Sequence, residues 1–520
     1  MKLRWKIATV IVLLPVIVFF LLPRLDNRAQ KMAERTRVDL HKQGFKTDLA
    51  EFNFSTPDEL REREAALTVR GYTVRPTFLP GELDLMTAVG SDTALVLWKE
   101  EKLQTYSGEY FWAELRESLK KDKASLDSAC AAALTGPIRF DLDASGGSGI
   151  LLPHLAALKN LAQTLSSRTV LELHDDNKNA AWNDLLASTR LVTAWQPEPV
   201  DISQFVRFSC ATIAYNTTWQ MLQEKSWADD QLAGLQREWE SVDFLYGLPE
   251  TAAFSRASAV AMCRLERHQR VSSGVTFEGI FHSPLSTWSQ LRYYWRQRSY
   301  PNHGSYEDER ALLLYYRDRE IQLSRAVQSP NWSAMRELPG VTNPVPFQSK
   351  YSSGMQSLLN MKQITLQFAG QGGGLLGRAA EAETRRRILL AAVALERRHK
   401  QYGSYPKTLQ EVAPEYLKNP PTDFMDGSPL RYRLAPDGNF VLYSVGLDCI
   451  DNNGQMQPRL GSSQNPRQPI SFEIPQGGDL VWPRPAGGNE VATQRAQAKE
   501  AKEKNLQEIL QKESEREKEE

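Results

Sequence analysis

An apolar run close to the N-terminus constrains the fold and location of this chain more than any other feature. The run extends from Ile7 to Leu22. As a helix it would span about 24 Å at ~1.5 Å per residue, which is short of the ~30 Å hydrocarbon core of a bilayer. Lys6 and Arg24 flank the run, and their long side chains can reach the headgroup region and make up the difference. The sequence therefore predicts that residues 1–24 form a membrane anchor.

A cleaved signal peptide is the alternative interpretation of this run. Such a peptide ends in small residues at its cleavage site, but Pro23-Arg24-Leu25-Asp26 follows here. Basic residues flank both ends of the run, so the positive-inside rule leaves the orientation nearly balanced. A short basic N-terminus before a single anchor usually stays in the cytoplasm. We therefore expect a single-pass protein of a bacterial inner membrane, with residues 25–520 in the periplasm.

Length and charge limit the remaining classes. The 520 residues are enough for two or three domains. Lys+Arg and Asp+Glu both number 63, so no overall positive field exists to attract nucleic acid, and we expect no nucleic-acid partner. The four cysteines contain no C-x-x-C pair, which argues against a structural zinc site and a disulfide framework. They are Cys130, Cys210, Cys263 and Cys449.

The middle of the chain is predicted to be helical. Leu155, Leu158, Ala162 and Leu165 recur at helical spacing, and a second apolar stripe begins at Trp182. A polar turn separates the two, so the sequence predicts a helical hairpin that resembles one unit of a tetratricopeptide-like solenoid. Further helices are predicted near 199–224, 228–243 and 248–270. No exact repeat period is present, which favours an irregular array.

The C-terminal part is predicted to mix a helix with strands. The pattern favours a long helix over 379–402 and two strands over 430–434 and 440–445, with Asp437-Gly438 as a hairpin turn. The predicted fold class is thus mainly α, with an N-terminal transmembrane helix and a small α+β domain. The predicted divisions are an anchor at 1–24, a helical stem and mixed region at 25–150, a helical-hairpin domain at 151–375, an α+β domain at 376–488, and a charged helical or disordered tail at 489–520.

Residues 379–447 resemble the C-terminal part of a type II secretion pseudopilin of the major, G-type kind. The similarity rests on Tyr402-Gly403-Ser404-Tyr405-Pro406 after the long helix, on Asp426-Gly427-Ser428-Pro429, and on the strand from Phe440 to Val445. In that family the Asp-Gly-x-Pro segment turns the chain into the sheet and the terminal loop binds calcium. The membrane run of this chain lies far upstream of the long helix, so the resemblance implies a borrowed fold.

Most of residues 25–485 also resemble a group of uncharacterised membrane-anchored proteins of Verrucomicrobia and Planctomycetes. That resemblance implies an anchored envelope protein and carries no activity with it. The matching segments are 41–49, 152–158, 203–207, 227–232 and 478–483.

The loop after the second predicted strand holds the candidate metal ligands. Asp448, Asp451 and Asn453 lie close together and precede Gly454. Carboxylate and amide oxygens are the ligands that Ca²⁺ prefers, and the pseudopilin resemblance implies the same ion. The alternative is an exposed turn in which Asp and Asn side chains bind backbone N–H groups. These three residues are the predicted calcium site.

Two further features of the sequence bear on enzymatic chemistry. Gly372–Gly377 matches G-x-G-x-x-G, but no strand follows its helix to complete a dinucleotide-binding unit, which favours a hinge. His154, His174 and His399 are scattered, and neither H-E-x-x-H nor G-x-S-x-G occurs. We predict no catalytic residue.

The leading functional hypothesis is a non-enzymatic envelope scaffold that binds a partner protein. An accessory component of a type II secretion or type IV pilus-like system is the second hypothesis. A hydrolase of envelope polymers is the third, and it requires a cleft in which histidine and carboxylates converge.

Overall fold

The computed structural model describes residues 28–68, 85–103, 110–268, 304–342, 374–456, 478–497 and 500. The predicted anchor and most of the predicted tail lie outside these residues. No helix within the described segments is both long and apolar enough to cross a membrane.

Helices make up most of the described chain, which confirms the predicted mainly helical class. We number them α1 (28–42), α2 (Asp58–Leu67), α3 (Phe111–Lys121), α4 (Lys123–Leu134), α5 (His154–His174), α6 (Lys178–Thr193), α7 (Asp201–Met221), α8 (Asp229–Glu240), α9 (Leu248–His268), α10 (Ser305–Ala326), α11 (Trp332–Arg336), α12 (Leu375–Tyr402) and α13 (488–497). Short 3-10 turns occur at Leu49–Glu51, Leu97–Lys99, Ala144–Gly149 and Leu409–Val412.

The predicted helical hairpin is present as α5 and α6, which pack against each other. Leu158 and Leu165 of α5 and Leu185 of α6 are fully buried, as the helical spacing predicts. The connecting turn includes Asp176, whose positive φ of 58° reverses the chain. α7 packs against both helices. α12 packs against α7, and α8 packs against α12. The predicted helices at 199–224, 228–243 and 248–270 correspond to α7, α8 and α9.

A small antiparallel sheet lies near the C-terminus, as predicted. Its strands are β2 (Arg431–Leu434), β3 (Phe440–Ser444) and β4 (Leu480–Trp482), in the order β2-β3-β4. Leu434 pairs with Phe440 across the predicted hairpin turn. Gly438 in that turn has a φ of 81°, a conformation that glycine adopts without steric penalty. α12 packs on β3 and β4.

A second, two-stranded pairing joins distant parts of the sequence. β1 (Thr93–Ala94) pairs in parallel with β5 (Arg484–Pro485). Arg495, which follows in α13, donates to Glu100 at 2.6 Å. No local pattern predicts this pairing, because each strand is only two residues long.

The helical part and the C-terminal part share one continuous hydrophobic core. Its buried members run from Leu67 to Val491. Trp219 of α7 donates through Nε1 to the carbonyl of Pro483 at 2.8 Å, and Trp332 of α11 donates to the carbonyl of Leu447 at 2.9 Å. Two buried tryptophans thus connect the helices to the segments around the sheet. The predicted domain boundaries at 150 and 375 stay predictions.

Candidate functional site

The loop with the predicted calcium ligands begins directly after β3. Gly446 starts it with a φ of 66°. A Cβ atom built at this position would lie 1.8 Å from the carbonyl oxygen of Gly478. The two glycines therefore allow the two ends of the loop to approach each other more closely than any side chain permits.

The predicted ligands Asp448 and Asp451 each bind a backbone N–H group of their own loop. Asp448 Oδ1 accepts from Ile450 N at 3.1 Å, and Asp451 Oδ1 accepts from Asn453 N at 2.8 Å. Asn453 itself has a positive φ of 59°. These contacts are the side-chain–backbone bonds of the alternative interpretation, an Asx-type turn.

Asp479 is a third carboxylate at this loop that the sequence did not predict. It accepts from Asn452 N at 3.1 Å and from Gly454 N at 2.7 Å. Asp479 precedes β4 and is brought back to the loop by the pairing of β3 with β4. Its proximity depends on tertiary structure, so no local spacing could have revealed it.

Burial and like charge act together on this acidic group. Burial raises the pKa of Asp479, and the nearby carboxylates of Asp451 and Asp448 raise it further, while the N–H bonds from Gly454 and Asn452 oppose the shift. Arg431 lies with its Nε 3.7 Å from Asp451 Oδ2, and Arg336 and Arg433 donate to the carbonyls of Asp448 at 3.1 Å and Asn453 at 2.8 Å. Three guanidinium groups therefore partly compensate the negative charge of the loop.

The calcium site at this loop stays a prediction. Among the described residues no group of three or more His, Cys, Asp or Glu side chains has an arrangement that could hold a metal ion. Asp448 and Asp451 each use Oδ1 for a backbone N–H, so an incoming cation would have to take their Oδ2 atoms together with carbonyl or amide oxygens.

Calcium should raise the melting temperature of the full-length protein if this loop binds it, and EDTA should reverse the effect, because a cation that binds only the folded state stabilises that state. Asp451→Asn should abolish the response to calcium. Asp437→Asn, in the hairpin turn between β2 and β3, is the matched control and should leave it intact. A melting temperature unaffected by both calcium and EDTA assigns the loop to the Asx-turn alternative.

Asp423 anchors the base of the loop to the sheet. It is fully buried. Its Oδ1 accepts from Met425 N at 2.8 Å and from Ser444 Oγ at 2.7 Å. Its Oδ2 accepts from Val445 N at 3.1 Å and from Arg431 Nη1 at 2.8 Å. Burial raises the pKa of this carboxyl, and the hydrogen bonds oppose that shift.

The histidines considered for catalysis lie in separate environments. His154 is buried, stacks on Phe140 at 4.1 Å and lies with Nε2 3.2 Å from Glu198 Oε1. His174 lies with Nδ1 2.9 Å from the carbonyl of Trp98 and stacks on Trp112 at 4.1 Å. The acids after His174 are engaged elsewhere: Asp175, for example, pairs with Arg116 at 2.6 Å.

The third histidine contributes to a pocket of about 300 Å³ between the α7–α8 connection and the end of α12. His399 stacks on Tyr405 at 4.4 Å. Glu396 Oε1 accepts from Lys225 Nζ at 2.7 Å and from Tyr405 OH at 2.7 Å. The lining residues are Leu222, Glu224, Lys225, Trp227, Leu232, Glu396, His399, Lys400 and Gly403. A histidine and two carboxylates line this pocket, but Glu396 already has a cation and a phenol as partners, and Glu224 lies 3.4 Å from Lys178.

The buried cysteines are poor nucleophiles. Burial raises the pKa of Cys130 to about 12 and that of Cys210 to about 12. Burial also raises the pKa of Cys263 well above its usual value. Because the thiolate is the reactive form, these thiols are unreactive at neutral pH.

Comparison of the chain with protein-family models, with curated proteins and with solved structures found no match.

Proposed function

We propose that this chain is a non-enzymatic scaffold of the bacterial envelope, anchored in the inner membrane by residues 7–22 with the bulk of the chain in the periplasm. The supporting observation is that the two histidines of α5 and the buried thiols, among the described residues, are engaged in packing. His154 and His174 are stacked and hydrogen-bonded within the helical core, and the buried thiols have raised pKa values. The helical part of the chain, whose α5–α6 hairpin resembles a tetratricopeptide-like unit, would present the binding surface.

Two exposed apolar side chains are the first positions to examine for a partner. Leu151 is 83% exposed and Tyr246 is 82% exposed. A photo-crosslinking residue at Tyr246 or Leu151 in native membranes should give the same protein adduct in repeated preparations. The same residue at Lys418, an exposed polar position, serves as the control and should not give it. Carbonate washing should leave the protein in the membrane. Release by carbonate, or the absence of any reproducible adduct, contradicts the proposal.

A second candidate function follows from the C-terminal part, where the 28-residue helix α12 packs on a three-stranded antiparallel sheet. This arrangement favours an accessory role beside pseudopilins, through a related fold. Co-purification of the chain with the pseudopilins of its own organism is the test. Consistent separation of the chain from any such assembly counts against this role.

The third hypothesis, a hydrolase of envelope polymers, would use the pocket beside His399. Glu396→Gln should abolish such an activity on isolated envelope polymers. Absence of any cleavage by the unsubstituted protein removes the hypothesis.

A further inference from the structure

Helix α1 has two chemically different sides. Ala29, Ala33 and Leu40 are buried and fall within an arc of about 40° at ~100° per residue. Leu40 packs in a cluster with Val260 of α9 and Leu313 of α10. This side holds α1 on the body of the protein.

The opposite side of α1 carries a cationic stripe, which we define as Arg28, Lys31, Arg35 and Lys42. All four are exposed. At ~100° per residue they fall within an arc of about 60°, centred about 150° from the buried side. The stripe therefore faces away from the protein along the full length of the helix.

The stripe cations have no acidic partner among the described residues. Among the described residues, the side-chain hydrogen bonds and ion pairs of α1 are made by residues outside the stripe. Arg37, on a different side, lies 3.8 Å from Glu309. Arginines elsewhere are commonly paired, as Arg256 is with Glu320 at 2.6 Å. Exposed cations kept free of partners on one line are suited to an anionic surface outside the molecule.

The length of the stripe decides how it could meet such a surface. Arg28 and Lys42 are separated by about 21 Å along the axis at ~1.5 Å per residue. Electrostatic attraction is screened within about 8 Å at physiological ionic strength. If α1 stood upright on the bilayer, only the first cations would feel the headgroups. All four are within reach only when the helix lies parallel to the membrane.

We propose that α1 lies along the membrane surface with its cationic stripe against the phosphate groups of anionic phospholipids. This inference rests on the proposed membrane anchor, which would bring residue 28 close to the bilayer. Each Lys or Arg near an anionic membrane surface strengthens binding by about fivefold. Because α9 and α10 pack on the other side of α1, the same contact holds these two helices close to the bilayer.

The test uses the full-length protein in nanodiscs, with a fluorophore at Val38→Cys in a Cys449→Ser background. Val38 is half exposed and borders the stripe. Quenching by nitroxide-labelled headgroups is compared between phosphatidylcholine discs and discs that also contain phosphatidylglycerol. We expect stronger quenching in the anionic discs, because each of the four cations favours the position of α1 at the anionic surface. At 1 M salt, where the screening length is about 3 Å, quenching should fall to the level of the neutral discs.

Two matched variants assign the effect to the stripe. The quadruple variant R28Q/K31Q/R35Q/K42Q should lose the dependence on lipid charge. The variant K102Q/K121Q/K407Q/K418Q removes the same charge from other exposed positions and should retain it. Equal quenching in neutral and anionic discs, or equal behaviour of the two variants, overturns the proposal. Carbonate extraction of native membranes distinguishes the anchor from the stripe. Release overturns the anchor, whereas retention together with charge-independent quenching in the discs overturns the stripe alone.

Discussion

Gly446→Ala should destabilise the full-length protein by at least about 4 kcal/mol, at the upper end of single-substitution effects. A left-handed backbone costs alanine about 1–2 kcal/mol, and Gly446 has a φ of 66°. The larger part comes from the clash, because the new methyl group would lie 1.8 Å from the carbonyl oxygen of Gly478. Relief requires the Gly478–Asp479 segment to move, which breaks the hydrogen bonds that Asp479 accepts from the loop. Urea unfolding followed by circular dichroism measures the loss.

Gly438→Ala is the control that isolates backbone strain. Gly438 has a φ of 81°, and a Cβ there would meet nothing within 4 Å. Its expected cost is about 1 kcal/mol. Similar decreases in the free energy of unfolding for the two substitutions would show that the close approach of Gly446 to Gly478 does not contribute to the effect.

Asp423→Asn should lower the free energy of unfolding by about 3–5 kcal/mol, the range for breaking a buried ion pair. The asparagine amide keeps one acceptor oxygen. Its N–H₂ group replaces the other oxygen and faces groups that donate to the carboxylate of Asp423. Val445 N and Arg431 Nη1 converge on Oδ2, while Met425 N and Ser444 Oγ converge on Oδ1. In either orientation of the amide, its N–H₂ group therefore faces other hydrogen-bond donors in a buried site.

Asp426→Asn provides the comparison, because Asp426 also binds Arg431, at 2.6 Å, but is partly exposed. Solvent can replace its lost interactions, so we expect a cost of about 1 kcal/mol. The same urea titration measures both variants. Equal costs for Asp423→Asn and Asp426→Asn would contradict the role assigned to burial.

Periodicity and turn chemistry were sufficient to predict the elements whose signals are local. Three elements were predicted close to their observed positions. They are the apolar side of α5, the end of α12 near Gly403 and the hairpin turn at Gly438. In each of these, spacing or glycine conformation within a few residues determines the structure.

Features that depend on distant residues were not predictable. The loop after β3 was identified from Asp448, Asp451 and Asn453, but its third carboxylate, Asp479, arrives through strand pairing. The requirement for glycine at Gly446 likewise depends on Gly478. The buried bond from Trp219 to Pro483 joins an amphipathic helix to a segment with no pattern of its own. Local propensity contains no information about such contacts, because tertiary packing determines them.

The pairing of β1 with β5 has a consequence for biosynthesis. Thr93 is translated 391 residues before its partner Arg484. The same late segment supplies the carbonyl group that Trp219 binds. Contacts of such large sequence separation form slowly, and apolar surface left open in the meantime favours aggregation. The chain can therefore complete this core only after residue 484 has been synthesised, and truncation before residue 480 leaves the helices without β4 and β5.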